Sequence, residues 1–222
     1  MDLTGYWVSV ISEDWRWRMV TPLKGDVASL PLNAAAIAQA EAWDPAKDTA
    51  AGLQCKAYGA AGIMRLPARL HITWQDDNTL KLDVDSGTQS RLFHFGGTIP
   101  ANTRPSWQGY SIANWERPPR GVETPNTIPI FARRTGTRGR SLEVTTTRLR
   151  AGYLRKNGVP YSENAMLSEY FDYRKHPNGD EWFTVTSIVR DPTYLESPLI
   201  LSSDFKKEAD ASSWRPTPCE AR

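Results

Sequence analysis

The stretch "ARLHITWQDDNTLKLDVDSGTQSRLFHF", residues 68–95, decides the fold class of this chain. It contains three short runs that are rich in β-forming residues: "ARLHITWQ", "TLKLDVD" and "TQSRLFHF". Turn-forming residues separate the runs, with Asp-Asp-Asn at 76–78 and Ser-Gly at 86–87. The pattern predicts three consecutive strands that form a meander.

Further strand-like runs lie on both sides of this meander. "LTGYWVSVI" precedes it, and "YSIANWE", "SLEVTTTRL", "AMLSEYFDYR", "EWFTVTSIVR" and "LILSSDFKKE" follow it. The chain therefore has roughly eight to ten strands with turns at barrel-like spacing, and it lacks the alternation of strands and helices that parallel sheets require. The choice is between a closed antiparallel barrel and a sandwich.

Two segments are not strand-like. Residues 32–43, "LNAAAIAQAEAW", predict the one clear helix, with Asn33 as its candidate cap, whereas residues 44–62 are expected to be irregular. Residues 117–139 are rich in proline, glycine and arginine and predict a long loop. This loop carries the apolar patch "IPIF", residues 128–131, which we expect to cover a ligand as a lid or to contact a second subunit.

Composition limits the function classes. The 222 residues carry a formal net charge of +2 with acids and bases interspersed, which gives no strong electrostatic footprint for nucleic acid. The longest apolar runs fall far short of a membrane span. Nine tryptophans are the outlier, and they suit an aromatic core or a pocket for a flat apolar ligand.

Cysteine usage bears on the compartment. Cys55 and Cys219 are too few for a four-ligand zinc site, but in an oxidising compartment they could form a disulfide. The chain enters a strand directly after Met1-Asp2, as a chain does after removal of a leader. We expect a secreted or periplasmic protein, and a cytoplasmic location stays open.

A family resemblance favours the barrel. Gly5-Tyr6-Trp7 resembles the Gly-x-Trp of lipocalin-like proteins. "WQGYSIANWE", "SLEVTTT", "GVPYSENAMLSEYF" and "TSIVRDPTYLESPLILSSDFKKE" occur in an order similar to that of a group of secreted bacterial proteins of uncharacterised function. The resemblance covers residues 91–208 and, more weakly, the chain from Gly5. The chain departs from the group's pattern in four places: Tyr110 and Tyr161 stand where the group often has histidines, Tyr170 replaces the arginine of an E-R pair, and the loop at 117–139 replaces a tight turn. It implies a secreted lipocalin-like barrel and no established activity.

Together these observations predict an all-β protein. Its fold is an antiparallel lipocalin-like β-barrel with one short N-terminal helix outside it, in a single domain over residues 1–222.

Strand alternation selects the candidate site. Successive side chains on a strand point to opposite faces, so Trp74 lies opposite His71, and Arg91 lies opposite His94. We expect a cavity lined by Glu169 together with either a histidine or Arg91, and alternation alone does not say which face points inward.

The candidate catalytic residues are titratable side chains on these strands or at a strand entry: His71, His94, Glu169 and Tyr161. The candidate ligand-binding residues are aromatic and basic side chains: Trp74, Arg91, Trp107, Tyr110, Trp115, Arg148 and Phe131. Arg148 and Glu169 could instead form an interior ion pair. Three scattered histidines predict no metal site, and we expect no cofactor.

Two functions compete. The first is acid-base catalysis, of isomerase, lyase or cyclase type, on a small, mostly apolar molecule, with aromatic molecules among the candidates. The second is a passive carrier in which the same residues only orient the ligand, and either function is compatible with a homodimer. Titratable groups that converge on one point would favour the enzyme, which we prefer at this stage, and an apolar lining would favour the carrier.

Overall fold

The computed structural model describes residues 1–116 and 141–221. Nine strands close into a barrel in the order β1-β11-β10-β9-β6-β5-β4-β3-β2. They are β1 (Gly5–Val10), β2 (Arg69–Asp76), β3 (Thr79–Val84), β4 (Gln89–Phe95), β5 (Tyr110–Trp115), β6 (Leu142–Thr147), β9 (Met166–Lys175), β10 (Glu181–Arg190) and β11 (Leu199–Glu208). A separate hairpin consists of β7 (Gly152–Arg155) and β8 (Val159–Tyr161). The predicted meander is β2-β3-β4, and the barrel is confirmed.

One seam of the barrel departs from the antiparallel prediction. β4 and β5 pair in parallel, with Phe93 opposite Ser111 and Phe95 opposite Ala113. The other eight seams between neighbouring barrel strands are antiparallel. The parallel seam arises because the chain between Phe95 and Tyr110 runs back along the barrel before β5 begins.

The barrel interior is filled with apolar side chains. Alternate residues of the strands point inward, as the 2-residue period of a strand requires. The inward set from the barrel strands is Trp7, Leu70, Ile72, Leu80, Leu82, Val84, Phe93, Ala113, Leu142, Val144, Phe171, Phe183, Val185 and Phe205. This packing decides the question that alternation left open, since Leu70, Ile72 and Phe93 point inward and their neighbours point outward.

Helices are more numerous than predicted. The predicted helix is α2 (Ala34–Ala42), and the Asn33 side chain accepts a hydrogen bond from the Ala36 N–H at 3.0 Å, as expected of an N-cap. Three further short helices are α1 (Trp15–Arg18), α3 (Pro45–Ala50) and α4 (Ala60–Ile63), with a 3₁₀-helix at Gln54–Tyr58. The predictions of a single helix and of an irregular segment at 44–62 were therefore wrong, because helices of four to six residues show too little periodicity to detect.

These helices and the β7-β8 hairpin cover one end of the barrel, which we call the capped end. A second apolar cluster joins them to the barrel: Leu32, Ala36, Ala60, Ala61, Leu149, Leu154, Val159, Tyr161, Ala165, Leu167, Val189, Leu195 and Leu199. Gly158, with φ of 84°, lies so close to the ring of Trp43 that a methyl group there would collide with it. The capped end is thus closely packed.

A disulfide ties the C-terminal tail to the capped end. Cys55 in the 3₁₀-helix is bonded to Cys219, with 5.1 Å between their Cα atoms. The tail also lies along the loop after β3, where the Thr217 N–H donates to the Asp85 carbonyl at 2.9 Å. The pairing is the one expected for an oxidising compartment.

The long-loop prediction for residues 117–139, including Phe131 and both of its suggested roles, lies outside the described residues.

Candidate functional site

Three aromatic side chains form a row at the other end of the barrel, which we call the distal end. Trp74, Phe95 and Trp115 stand near the distal ends of β2, β4 and β5 and have the inward parity of those strands. The ring centroids of Trp74 and Phe95 are 5.3 Å apart, and those of Phe95 and Trp115 are 5.4 Å apart. We call Trp74, Phe95 and Trp115 the aromatic row.

The aromatic row still has accessible surface. Trp74 is 44% exposed, whereas Phe95 and Trp115 are half-buried and pack against the barrel core. An aromatic face with this exposure can stack with a second flat ring at a favourable energy. The sequence predicted Trp74 and Trp115 as ligand-binding residues, and Phe95 brings them together.

Five further rings form a buried aromatic cluster in the barrel core. Phe171 contacts Phe93 and Phe183 with centroid separations of 5.7 and 5.8 Å, and Phe183 stacks on Phe205 at 4.8 Å. Trp7 meets Phe183 edge to face at 4.8 Å. All five rings are at most 1% exposed, and Phe95 and Trp115 of the aromatic row pack against the same core.

The deeper interior holds a buried ion pair. Arg91 donates from Nη1 to Glu169 Oε1 at 2.9 Å and from Nη2 to Oε2 at 2.5 Å, and both side chains are fully buried. Thr146 accepts from Arg91 Nη2 at 3.4 Å and shares a hydrogen bond of 2.8 Å with Ser111. At about 3.3 Å per residue, Arg91 lies about 13 Å below Phe95 along β4. The bidentate contact neutralises the carboxylate within the core.

The partner of Glu169 corrects one prediction. Arg148, the suggested partner, is exposed at the capped end with φ of 55° and borders an open surface groove of about 540 Å³. Arg148 therefore lies outside the barrel interior. The arginine that contacts Glu169 in the barrel interior is Arg91, which the sequence analysis offered as the alternative to a histidine beside Glu169.

Neither histidine on the strands shares a space with Glu169. His71 stacks on Tyr6 with centroids 4.1 Å apart, and His94 stacks on Tyr110 with centroids 4.5 Å apart. Both pairs lie on the outer surface of the barrel, because the inward positions belong to their strand neighbours. The expected cavity lining of histidines with Glu169 was wrong, and Tyr110 likewise lies outside the barrel.

Tyr161 and Trp107 belong to the capped end. Tyr161 is 1% exposed, and a methyl group on Gly59 or Gly152 would collide with its hydroxyl. Burial raises the pKa of the Tyr161 hydroxyl above its ordinary value. Trp107 donates from Nε1 to the Ala151 carbonyl at 3.2 Å. Both residues pack the capped end and do not meet the aromatic row.

The comparisons with known proteins give no family. No family model, no curated protein and no solved structure matches this chain. The resemblance to secreted lipocalin-like proteins therefore stays a prediction. Over residues 1–116 and 141–221, no helix has the length and apolar character to cross a membrane, and no cluster of three or more histidine, cysteine or acidic side chains could hold a metal ion.

Proposed function

We propose that this protein binds a small, flat, mostly apolar molecule at the distal end of the barrel, and that it carries the molecule without transforming it. The observation that supports this is the aromatic row, in which Phe95 stacks on Trp115, Trp74 is tilted by 41° against Phe95, and Trp74 is 44% exposed. A flat aromatic ligand would extend the stack, and the indole N–H of a tryptophan can donate one hydrogen bond to it.

The carrier is favoured over the enzyme by where the titratable groups lie. His71 and His94 point away from the barrel interior, and Glu169 is fully buried and held by Arg91. A general acid or base must come within hydrogen-bond reach of its substrate. Among the described candidates, none meets this condition at the aromatic row.

We also propose that the protein works in an oxidising compartment, outside the cytoplasm. The Cys55–Cys219 disulfide supports this, because such bonds persist where thiols are not kept reduced.

Binding of N-phenyl-1-naphthylamine, a neutral flat fluorescent probe, tests the carrier proposal. Trp74→Ala removes the most exposed ring of the row and should weaken probe binding by about tenfold, since a stacked and partly buried ring contributes about 1.4 kcal/mol. The matched control is Trp214→Ala, because Trp214 is a half-buried tryptophan that packs outside the barrel against His71. Equal affinities of the two variants would show that the probe does not use the aromatic row.

A further inference from the structure

A small cavity lies between the segment around α1, the β7-β8 hairpin and β11. Its volume is about 30 Å³, and three arginines line it together with Asp14, Trp17 and several leucines. The arginines are Arg18, Arg65 and Arg155. Three guanidinium groups around one small space are unusual, because like charges repel and burial costs each of them hydration.

Arg18 is the most deeply buried of the three. Its side chain is 2% exposed, its Nε donates to the Arg65 carbonyl at 3.0 Å, and its Nη1 donates to Glu13 Oε1 at 2.5 Å. Its Nη2 is buried and has no hydrogen-bond partner within the described part of the chain. A buried charged donor without an acceptor is costly, so an acceptor is expected there.

The charges that line the cavity do not balance. The lining cations are Arg18, Arg65 and Arg155, and the lining carboxylate among the described residues is Asp14, which accepts from Arg65 Nη2 at 2.6 Å. Glu13 serves both Arg18 and Arg65, at 2.5 and 3.2 Å. Asp204 also attracts Arg18, but its carboxylate accepts from the Thr184 hydroxyl at 2.5 Å and lies 3.9 Å from Arg174.

Arg155 is the third arginine that lines the cavity. It donates from Nη1 to the Ala28 carbonyl at 3.2 Å and lies over the ring of Trp17 at 5.3 Å. Burial, followed by the neighbouring charge of Arg65, lowers the pKa of Arg18 to about 10. Arg155 forms no ion pair with a carboxylate of the described residues, although Asp14 and Asp26 lie close enough to attract it.

We propose that this cavity binds a small monovalent inorganic anion of about the size of chloride, which accepts the N–H of Arg18 Nη2. A space of about 30 Å³ holds one water-sized particle, which suits a halide better than a phosphate or sulfate. An anion supplies the missing acceptor and also a negative charge beside three lining arginines that share one lining carboxylate, whereas a water molecule supplies only the acceptor.

The anion would link the α1 segment to the barrel. Arg18 belongs to α1, Arg155 belongs to β7, and Arg65 donates to the Ser202 carbonyl of β11. Binding to the folded state alone stabilises it by mass action. The melting temperature should therefore rise by about 3–5 °C for each tenfold increase of chloride above its dissociation constant.

The test compares thermal unfolding in sodium chloride and in sodium gluconate at equal ionic strength, so that charge screening is constant. Arg155→Met should abolish the difference between the two salts, and Arg18→Met should do the same where it folds. The control is Arg16→Met, which removes one cation from the same helix at a side chain that is 69% exposed. This control should keep the chloride response.

A crystal grown in bromide gives the second measurement. We expect an anomalous peak within hydrogen-bond distance of Arg18 Nη2. A water at that position without anomalous signal, or a chloride response that Arg155→Met leaves unchanged, would overturn the proposal.

Discussion

The two ends of the barrel bury their aromatic residues to very different degrees. At the capped end, Trp43 and Tyr161 are 7% and 1% exposed beneath helices that a disulfide joins to the tail. At the distal end, Trp74 is 44% exposed although it has the inward parity of β2. The barrel therefore packs its aromatic side chains at the capped end and leaves an accessible aromatic surface at the distal end. The difference shows that the aromatic side chains of the capped end are packed into the fold, whereas an aromatic side chain at the distal end stays accessible.

The disulfide should have the largest effect on this difference. Cys55 and Cys219 are 164 residues apart, and a cross-link that closes so long a loop stabilises the folded state by about 5 kcal/mol in the chain-entropy treatment. Cys55→Ser combined with Cys219→Ser should lower the free energy of unfolding by up to this amount in urea titrations.

Hydrogen exchange would show where the double variant loosens. We expect faster exchange in the tail and the 3₁₀-helix, with little change next to the aromatic row. Reductant should destabilise the unmodified protein and leave the double variant unaffected; uniform loosening of both ends would contradict the division between them.

A matched pair of tryptophan substitutions compares the two ends directly. Trp43→Ala should lower the free energy of unfolding by about 3–4 kcal/mol, because it leaves a cavity against Gly158 in a packed cluster. Trp74→Ala should cost about 1 kcal/mol or less, since almost half of that side chain is already exposed. Similar losses in chemical denaturation would show that the distal end is also structural.

The smallest expected effect depends on pH and concerns the capped end. The Tyr153 hydroxyl donates to Asp48 Oδ2 at 2.7 Å, and Lys56 Nζ lies 3.0 Å from Oδ1 of the same carboxylate. Burial, and then the hydrogen bond to Asp48, raise the pKa of Tyr153 above its ordinary value. The pKa of Tyr153 is higher in the folded state than in the unfolded state. The stabilisation that the protonated Tyr153 hydroxyl gives is therefore complete below the unfolded-state pKa and is lost as the pH rises towards the folded-state pKa.

Tyr153→Phe tests this linkage. It should lower the free energy of unfolding by about 1–2 kcal/mol at neutral pH. This difference in free energy of unfolding between the variant and the unmodified protein should decrease above about pH 10. Tyr6→Phe, on the outer surface of β1, is the control and should show no such decrease. If the difference in free energy of unfolding between Tyr153→Phe and the unmodified protein stays constant up to about pH 11, ionisation of Tyr153 is not linked to stability.

Local sequence patterns predicted the strands well and the contacts between distant strands poorly. Period and turn residues located the meander and the later strands, because both depend on neighbours in the chain. Alternation showed that His71 and His94 lie opposite apolar residues, but the inward direction depends on what the whole barrel encloses. The parallel seam was missed because sequence does not show how far the segment before β5 travels.

The sequence predicted only part of the aromatic row and of the interior, because it shows residue types but not the contacts between distant strands. Trp74 and Trp115 were selected by residue type, whereas Phe95 was passed over although its strand places it on one face with Arg91. The pairing of Arg91 with Glu169 joins residues 78 positions apart, and no local pattern encodes it. The same holds for the arginine cavity, which gathers side chains from α1, the segment after α4 and β7.

The position of β1 dictates the order in which the barrel can be assembled. β1 is made first, yet its two neighbours are β2, which begins at Arg69, and β11, which ends at Glu208. During synthesis the edge of β1 that pairs with β11 therefore stays unpaired until β11 has been made, and only then can the barrel close. Cys219 follows β11 in the chain, so the disulfide can form only after β11 has been synthesised. The disulfide then holds the tail against the capped end of the closed barrel.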